Sequence, residues 1–169
     1  MSRAGMRVKV SGAGCVIVPM TEHDLLEVVE IEETTGLSQW GWDAYRAELS
    51  KAEAVMLVAR RDSPDSLTGR RLVGYIAARV SADELHINNI GVRTESRRRG
   101  VGGALLASAL GAGAKNGARS AVLEVRAGNL AAQAMYEGLG FQIVGERRNY
   151  YREPVENAII MTRPLAARA

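Results

Sequence analysis

Apolar residues recur along this chain in two rhythms, as continuous or alternating runs and as patches spaced three to four residues apart. The runs predict strands, and the spaced patches predict helices. Turn-forming clusters, such as Asp-Ser-Pro-Asp-Ser at 62–66, separate them. The predicted elements are a strand at 15–18, a helix opening at Thr21 with apolar positions from Leu25 to Ile31, a helix at 42–49, strands at 54–60, 71–80 and 85–92, a helix at 100–116, a strand at 120–125, a helix at 129–139, and strands at 141–145 and 158–161.

This order of elements predicts a mixed α/β fold of the α+β kind. Turns at 62–69 and 81–83 fold three successive strands into an antiparallel meander. The strand–helix–strand segment between residues 85 and 125 requires one parallel pairing, because the helix returns the chain to the same end of the sheet. We expect a single domain over residues 1–169, with residues 1–12 as a flexible N-terminal extension.

The composition excludes several classes of protein. Hydrophobic residues are 47% and charged residues 24% of the chain, which is typical of a globular protein and not of a disordered one. The single cysteine, Cys15, excludes an internal disulfide and indicates a reducing compartment. The chain has only two histidines in addition to this cysteine, so no metal site is predicted. No apolar run approaches the ~18 residues of a membrane helix, so we expect a cytoplasmic protein that does not bind membranes.

The positive charge of the chain is concentrated in one short segment. Residues 93–99 contain four arginines and one glutamate, and their net charge of +3 equals that of the whole chain. Nucleic-acid binding usually requires basic residues spread over a whole face, so direct nucleic-acid binding is not expected. A local cluster of this kind favours a small polyanion instead.

Glycines follow these arginines at the start of a predicted helix. The turn after Val92 includes Arg97-Arg98-Arg99-Gly100-Val101-Gly102-Gly103-Ala104. Free amides and the helix dipole at such a position bind phosphate, which predicts a phosphate or pyrophosphate site. No Lys-Ser or Lys-Thr pair occurs, which excludes a nucleoside-triphosphate loop, and Leu105 replaces the third small residue of a dinucleotide motif. A solvated basic turn without a ligand stays the alternative.

Several motifs together resemble one enzyme family. Arg97-x-x-Gly100-x-Gly102 is similar to the pyrophosphate loop of the GNAT acetyltransferases. Three later segments, LEVRAGN at 123–129, MYEGLGF at 135–141 and RRNYY at 147–151, resemble the RimI-type branch, which acetylates the N-terminal alanine of a ribosomal protein. The resemblance covers residues 83–165. It implies a mostly antiparallel central sheet with one splayed parallel strand pair, flanked by helices.

Two residues are candidates for proton transfer. Glu124 lies in an otherwise apolar strand, where it is either a base strengthened by burial or a carboxylate paired with Arg126 or another arginine. Tyr136 follows the helix-capping Asn129 by two turns, and is either a core tyrosine or a proton donor to a leaving sulfur. The resemblance implies that Glu124 is the general base and Tyr136 the general acid of a direct transfer.

The resemblance also implies that acetyl-CoA is the acyl donor. Asn88, Asn89 and Gly91 are unusual inside a strand and predict a bulge there, with a polar exposed face as the alternative. The family uses backbone groups of this strand for the pantetheine arm and the acetyl oxygen. The implied cofactor-binding residues are Ile90, Gly91, Val92, Arg97, Arg98, Arg99, Gly100, Val101, Gly102, Gly103, Ala104, Asn129 and Tyr136.

A protein or peptide N-terminus, from a ribosomal protein, is the implied acceptor. The implied substrate-binding residues are Trp40, Asn89, Tyr150 and Tyr151, with the two tyrosines on a loop over the peptide. Ser38-Gln39 stands where the family commonly has an apolar residue and a proline, which leaves acceptor preference open. A lysine side chain, a polyamine or a drug amine is an alternative acceptor, and a non-catalytic acyl-CoA-binding regulatory module is the alternative function. A monomer or weak dimer is expected.

Overall fold

The computed structural model describes residues 5–35 and 39–166. Its elements, in chain order, are β1 (Val8–Val10), β2 (Cys15–Pro19), α1 (Leu25–Thr34), α2 (Gly41–Leu49), β3 (Ala54–Arg61), β4 (Leu72–Ser81), β5 (Glu84–Val92), α3 (Val101–Lys115), β6 (Ser120–Arg126), α4 (Leu130–Gly138), β7 (Gln142–Arg152) and β8 (Val155–Pro164). Single 3-10 turns at Glu22–Asp24 and Thr94–Ser96 precede α1 and α3. Apart from β1, the order of elements is the predicted one, and the mixed fold class is confirmed.

The strands of the described residues form one sheet in the order β1-β2-β3-β4-β5-β6-β8-β7. Within it β5 and β6 pair in parallel, and the other neighbouring strands pair antiparallel. The helix crossover between β5 and β6 is the reason for the parallel pair. The parallel pair therefore joins two antiparallel parts of the sheet, β1 to β5 on one side and β6, β8 and β7 on the other.

Two apolar layers cover the sheet, one on each face. Alternate residues of β2 divide between them, since Ile17 packs on the α3 side and Val18 on the side of α1 and α2. Leu105 and Leu106 of α3 are fully buried in the first layer. Leu25, Val28 and Ile31 of α1 are buried in the second layer, in the helical spacing that the sequence predicts. Cys15 is buried in the first layer with Ile17 as a small apolar residue, and burial raises the pKa of its thiol.

The parallel strands separate part-way along their length. Pairing of β5 with β6 runs from Glu84–Ser120 to Ile87–Leu123, and no pair joins them beyond that point. The pairing of β5 with β4 skips Asn88, so the predicted bulge is present. The open angle between the two strands, here called the cleft, lies next to Ile90, Gly91 and Val92 on one side and Glu124 on the other.

Two predictions about the ends of the chain are wrong in part. Residues 8–10 belong to the expected flexible extension, but they form β1, which pairs with β2 and buries Val10 against the core. Residues 1–4 of that extension lie outside the described residues. Residues 147–151 were expected to form a loop, but they lie within β7, which continues to Arg152 in an irregular hairpin with β8.

Candidate active site

The turn before α3 has the backbone geometry of an anion site. Arg98 and Gly100 have φ angles of 60° and 80°, so the chain folds back on itself before the helix. The first hydrogen bond of the helix runs from the amide of Ala104 to the carbonyl of Gly100, at 3.0 Å. The amides of Val101, Gly102 and Gly103 therefore have no carbonyl partner within the helix, and the helix dipole makes this end positive.

The side chains around this turn leave its amides accessible. Arg97, Arg98 and Arg99 are exposed, and Arg97 donates through Nε to the carbonyl of Val92 at 3.3 Å. A Cβ at Gly102 would lie 3.2 Å from Met135 Sδ, so glycine permits α3 and α4 to approach closely. A Cβ at Gly103 would meet open space. Free amides, three arginines and small residues fit the diphosphate of coenzyme A.

Strand β5 forms one wall of the cleft and depends on a glycine that the sequence did not single out. A Cβ at Gly74 of β4 would lie 2.8 Å from the carbonyl oxygen of Gly91. Only glycine allows the two strands to approach this closely. Gly91 is buried and Ile90 and Val92 are half-buried, so this wall presents mainly backbone groups to the cleft.

Glu124 is less buried than its apolar strand suggests. Its side chain is 30% exposed, and its Oε1 lies 3.7 Å from Nε of Arg147 on β7. The expected burial is therefore wrong, because neighbouring β8 and β7 leave this face of β6 open. The ion pair that the sequence left as an alternative is present, although its partner is Arg147 and not Arg126.

Tyr136 reaches the site from α4 and is 5% exposed. Asn129 caps this helix by accepting from the amide of Ala132 at 3.1 Å, as predicted. Burial, with a smaller contribution from Tyr151, raises the pKa of Tyr136 to about 12. The Tyr136 hydroxyl makes no hydrogen bond to any of the described residues, so it is a protonated donor without a protein acceptor at neutral pH.

Tyr150 and Tyr151 lie beside these two residues on β7. Their rings meet edge to face, 5.1 Å apart, and the Arg126 guanidinium lies 4.2 Å above the Tyr151 ring. The pKa of Tyr151 is raised to about 12, mainly by burial and by Tyr150, with smaller contributions that include the Glu124 carboxylate. Glu124 and Tyr136 therefore both lie within electrostatic range of Tyr151.

Glu156 fixes the connection from β6 to α4, although no motif in the sequence indicates such a role. Its Oε2 accepts from the amide of Gly128 at 2.6 Å, and its Oε1 pairs with Arg126 at 3.3 Å. A Cβ at Gly128 would lie 2.8 Å from Oε2, so a larger residue there would displace the Glu156 carboxylate. The start of α4, and with it the direction of Tyr136, is held by this carboxylate.

Trp40 and Asn89 belong to the opposite side of the site. Trp40 is half-buried at the start of α2, and its ring centroid lies 5.3 Å from that of Tyr45. Asn89 is 6% exposed, and its Nδ2 donates to the Tyr45 hydroxyl at 3.0 Å. The side chain of Asn89 therefore faces a buried polar cluster. Gln39 is exposed, and Ser38 lies outside the described residues.

Comparison with known proteins identifies the family. The model of the acetyltransferase (GNAT) family matches residues 23–141 of the chain. The chain belongs to the GNAT acetyltransferase family. Its members use acetyl-CoA, so this GNAT chain is an acetyl-CoA-dependent acyltransferase, as the motifs implied.

Several proteins similar to this GNAT chain are N-terminal acetyltransferases by name. Ribosomal protein bS18-alanine N-acetyltransferase of Escherichia coli is 40% identical over 98 residues, covering 57% of this chain and 66% of that enzyme. N-alpha-acetyltransferase RimI of Mycobacterium tuberculosis is 34% identical over 152 residues, covering 85% and 89%. The crystal structure of the ribosomal-protein-S18-alanine N-acetyltransferase from Escherichia coli has a TM-score of 0.77 and 29% identity, and covers 90% of this chain and 95% of that one.

Among residues 5–35 and 39–166, no three histidine, cysteine or acidic side chains come together as metal ligands. Within the same ranges, no helix is both long and apolar enough to cross a membrane.

Proposed function

We propose that this protein transfers the acetyl group of acetyl-CoA to the N-terminal α-amine of a protein, with the N-terminal alanine of ribosomal protein bS18 as its substrate. The observation that supports the proposal is the partly exposed Glu124 on β6, where β5 and β6 separate, with Tyr136 and Tyr151 within electrostatic range of each other and free amides at the start of α3. The names of the Escherichia coli relative and of the solved structure support this acceptor, and that of the Mycobacterium tuberculosis relative supports an N-terminal α-amine.

Acetyl-CoA supplies the thioester whose carbon accepts the amine. The amides of Val101, Gly102 and Gly103, with the side chains of Arg97 to Arg99, bind its diphosphate. Backbone amides along β5 from Ile90 to Val92 stabilise the oxygen on which negative charge develops. Asn129 is placed at the start of α4, where it contacts the pantetheine arm.

The chemical step needs one base and one acid. Glu124 removes a proton from the acceptor ammonium, directly or through a water, and the neutral nitrogen forms a bond to the thioester carbon. The carbon–sulfur bond breaks, and Tyr136 donates its proton to the departing thiolate. The nitrogen loses its second proton to water, which leaves a neutral amide, and Tyr136 regains a proton from water before the next turnover. A free α-amine has a pKa near ~8, so a carboxylate suffices as the base at neutral pH. No covalent enzyme intermediate is involved.

The acceptor peptide lies between the two aromatic walls of the site. Trp40 forms one wall at the start of α2, and Tyr150 and Tyr151 form the other on β7. Tyr150 is 48% exposed, which leaves much of its ring available for contact. The backbone at Asn89 lies between the walls, and its side chain is hydrogen-bonded to the buried Tyr45 hydroxyl.

Mass spectrometry with matched peptides tests the proposal. One peptide carries the N-terminal alanine of bS18 with its lysines blocked, and the other has a blocked N-terminus and free lysines. We expect acetylation of the first peptide only. Transfer only to the lysines, or only to a polyamine or a drug amine, would replace the proposed acceptor.

Calorimetry on the same protein distinguishes an enzyme from a binding module. Acetyl-CoA that binds without turnover on any of these amines would favour the acyl-CoA-binding regulatory module. The cytoplasmic location and the monomeric or weakly dimeric state stay predictions, and sedimentation of the purified protein tests the latter.

A further inference from the structure

A buried carboxyl group outside the proton-transfer residues holds the acceptor side of the site together. Glu32, on α1, is 1% exposed, yet it forms no ion pair with any of the described residues. Burying such a group is costly unless several donors satisfy it. Four donors do so here, three from the start of α2 and one from β5.

Two of these donors are backbone amides of the wall that Trp40 forms at the start of α2, here called the Trp40 wall. The amide of Trp40 donates to Glu32 Oε1 at 2.6 Å, and the amide of Gly41 donates to Oε2 at 3.2 Å. Gly41 has a φ of 79°, so the chain turns sharply at this point before α2 begins. One carboxyl group therefore fixes the backbone on both sides of the Trp40 carbonyl.

The other donors lead from Glu32 to strand β5. The Tyr45 hydroxyl donates to Oε1 at 2.7 Å, and Asn89 Nδ2 lies 3.5 Å from the same oxygen. The Tyr45 hydroxyl also contacts the Tyr75 hydroxyl at 2.8 Å, and the two rings pack edge to face. Asn89 directly follows Asn88, the bulged residue of β5. The hydrogen bonds of Glu32 therefore join the Trp40 wall to the strand that lines the cleft.

We propose that Glu32 is a positioning residue for the acceptor, which sets the distance between the Trp40 wall and the bulged end of β5 through Tyr45 and Asn89. This inference rests on the proposed function, because it assigns the peptide to the space beside Trp40. Loss of one carboxyl oxygen would free an amide of the wall and a tyrosine hydroxyl in the same step. The pocket for the first acceptor residues would widen, while the turn that binds the diphosphate, on α3, would be unchanged.

Glu32→Gln tests the inference, with Glu48→Gln as the matched control. Glu48 is also a buried glutamate of this helical layer, 7% exposed, and it pairs with Lys51 at 2.8 Å and Arg79 at 3.5 Å. Arg79 lies at the far end of β4 from Gly74, so Glu48 controls for loss of a buried carboxylate at the other end of α2 from Trp40. Glu32→Gln should raise KM for the alanine peptide about tenfold, as expected for a lost hydrogen bond to a charged group. KM for acetyl-CoA should be unchanged, and Glu48→Gln should change neither KM.

A second measurement does not depend on turnover. In a Trp42→Phe background Trp40 is the one tryptophan left, and its quenching by acrylamide reports how accessible the ring is. Glu32→Gln should increase this quenching, and Glu48→Gln should not. If Glu32→Gln fails to fold, Tyr45→Phe keeps the ring stack, removes one donor and should raise KM for the peptide about threefold.

Three results would decide against the inference. They are an equal rise of KM for both substrates, a rise no larger than that of the Glu48 variant, or unchanged Trp40 quenching in the folded Glu32 variant. If the wild-type protein transfers no acetyl group to the peptide, the proposed function fails. The quenching comparison then still measures whether Glu32 holds Trp40.

Discussion

Glu124 and Arg147 meet across the sheet, with Oε1 of one 3.7 Å from Nε of the other. The pair joins β6 to the edge strand β7 at the cleft. Both side chains are partly exposed, so their attraction is screened by water and contributes little to stability. A carboxylate that is accessible from the cleft and only loosely paired remains available for proton transfer.

Replacing each partner separately distinguishes a base from a structural ion pair. Glu124→Gln should lower kcat by about 10²–10⁴-fold, the usual contribution of a general base, with acetyl-CoA affinity retained. Arg147→Gln breaks the same ion pair but should keep kcat within about tenfold. Neither change should alter the free energy of unfolding by more than about 1 kcal/mol. Equal losses of kcat in the two variants would mean that the ion pair, and not the base, matters.

Alkaline pH should destabilise the protein partly through Tyr136. The folded state raises the pKa of this tyrosine from 10.0 to about 12, so the unfolded state loses the proton first. The contribution of Tyr136 is complete below pH 10 and is lost as the pH rises towards 12. Its size is on the order of 2–3 kcal/mol. Urea unfolding over this range should show a smaller decline for Tyr136→Phe than for the wild type. If the free energies of unfolding of the two proteins fell in parallel with pH, the pKa of Tyr136 would not be raised in the folded state.

Two glycines of α3 should respond in opposite directions to alanine. A Cβ at Gly111 would meet open space, so Gly111→Ala should stabilise the helix by about 0.5–1 kcal/mol. A Cβ at Gly113 would lie 2.8 Å from Leu85 Cδ2, so Gly113→Ala should destabilise the protein by about 1–3 kcal/mol. Thermal unfolding of both variants measures the difference. A stabilising Gly113→Ala would mean that Leu85 moves aside easily.

The sequence predicted the features that depend on local pattern. The bulge at Asn88, the cap at Asn129 and the turn before α3 each follow from residues a few positions apart. The parallel pair followed from the length of the crossover between β5 and β6. Such features are predictable because turn residues, capping side chains and apolar spacing act over short distances in the chain.

Features that depend on distant residues could not be predicted in this way. The partners of Glu32 lie up to 57 positions away, so no local pattern indicates that this glutamate is buried and bonded. The exposure of Glu124 depends on how β7 and β8 cover β6. Strand β7 itself is exposed over most of its length and lacks the alternation of buried and exposed residues that marks a strand.

Removing the hydroxyl of Tyr136 tests the acid in the chemical step. Tyr136→Phe keeps the ring, which packs beside Phe141 with centroids 6.0 Å apart, and the lost hydroxyl has no hydrogen-bond partner among the described residues. Stability at neutral pH should therefore be unchanged or slightly higher. Because the thiolate then leaves without a proton donor, kcat should fall by about 10²–10⁴-fold while both KM values change little. Stopped assays with the alanine peptide measure this. Full activity would show that Tyr136 only fills the core, and another group would have to protonate the sulfur.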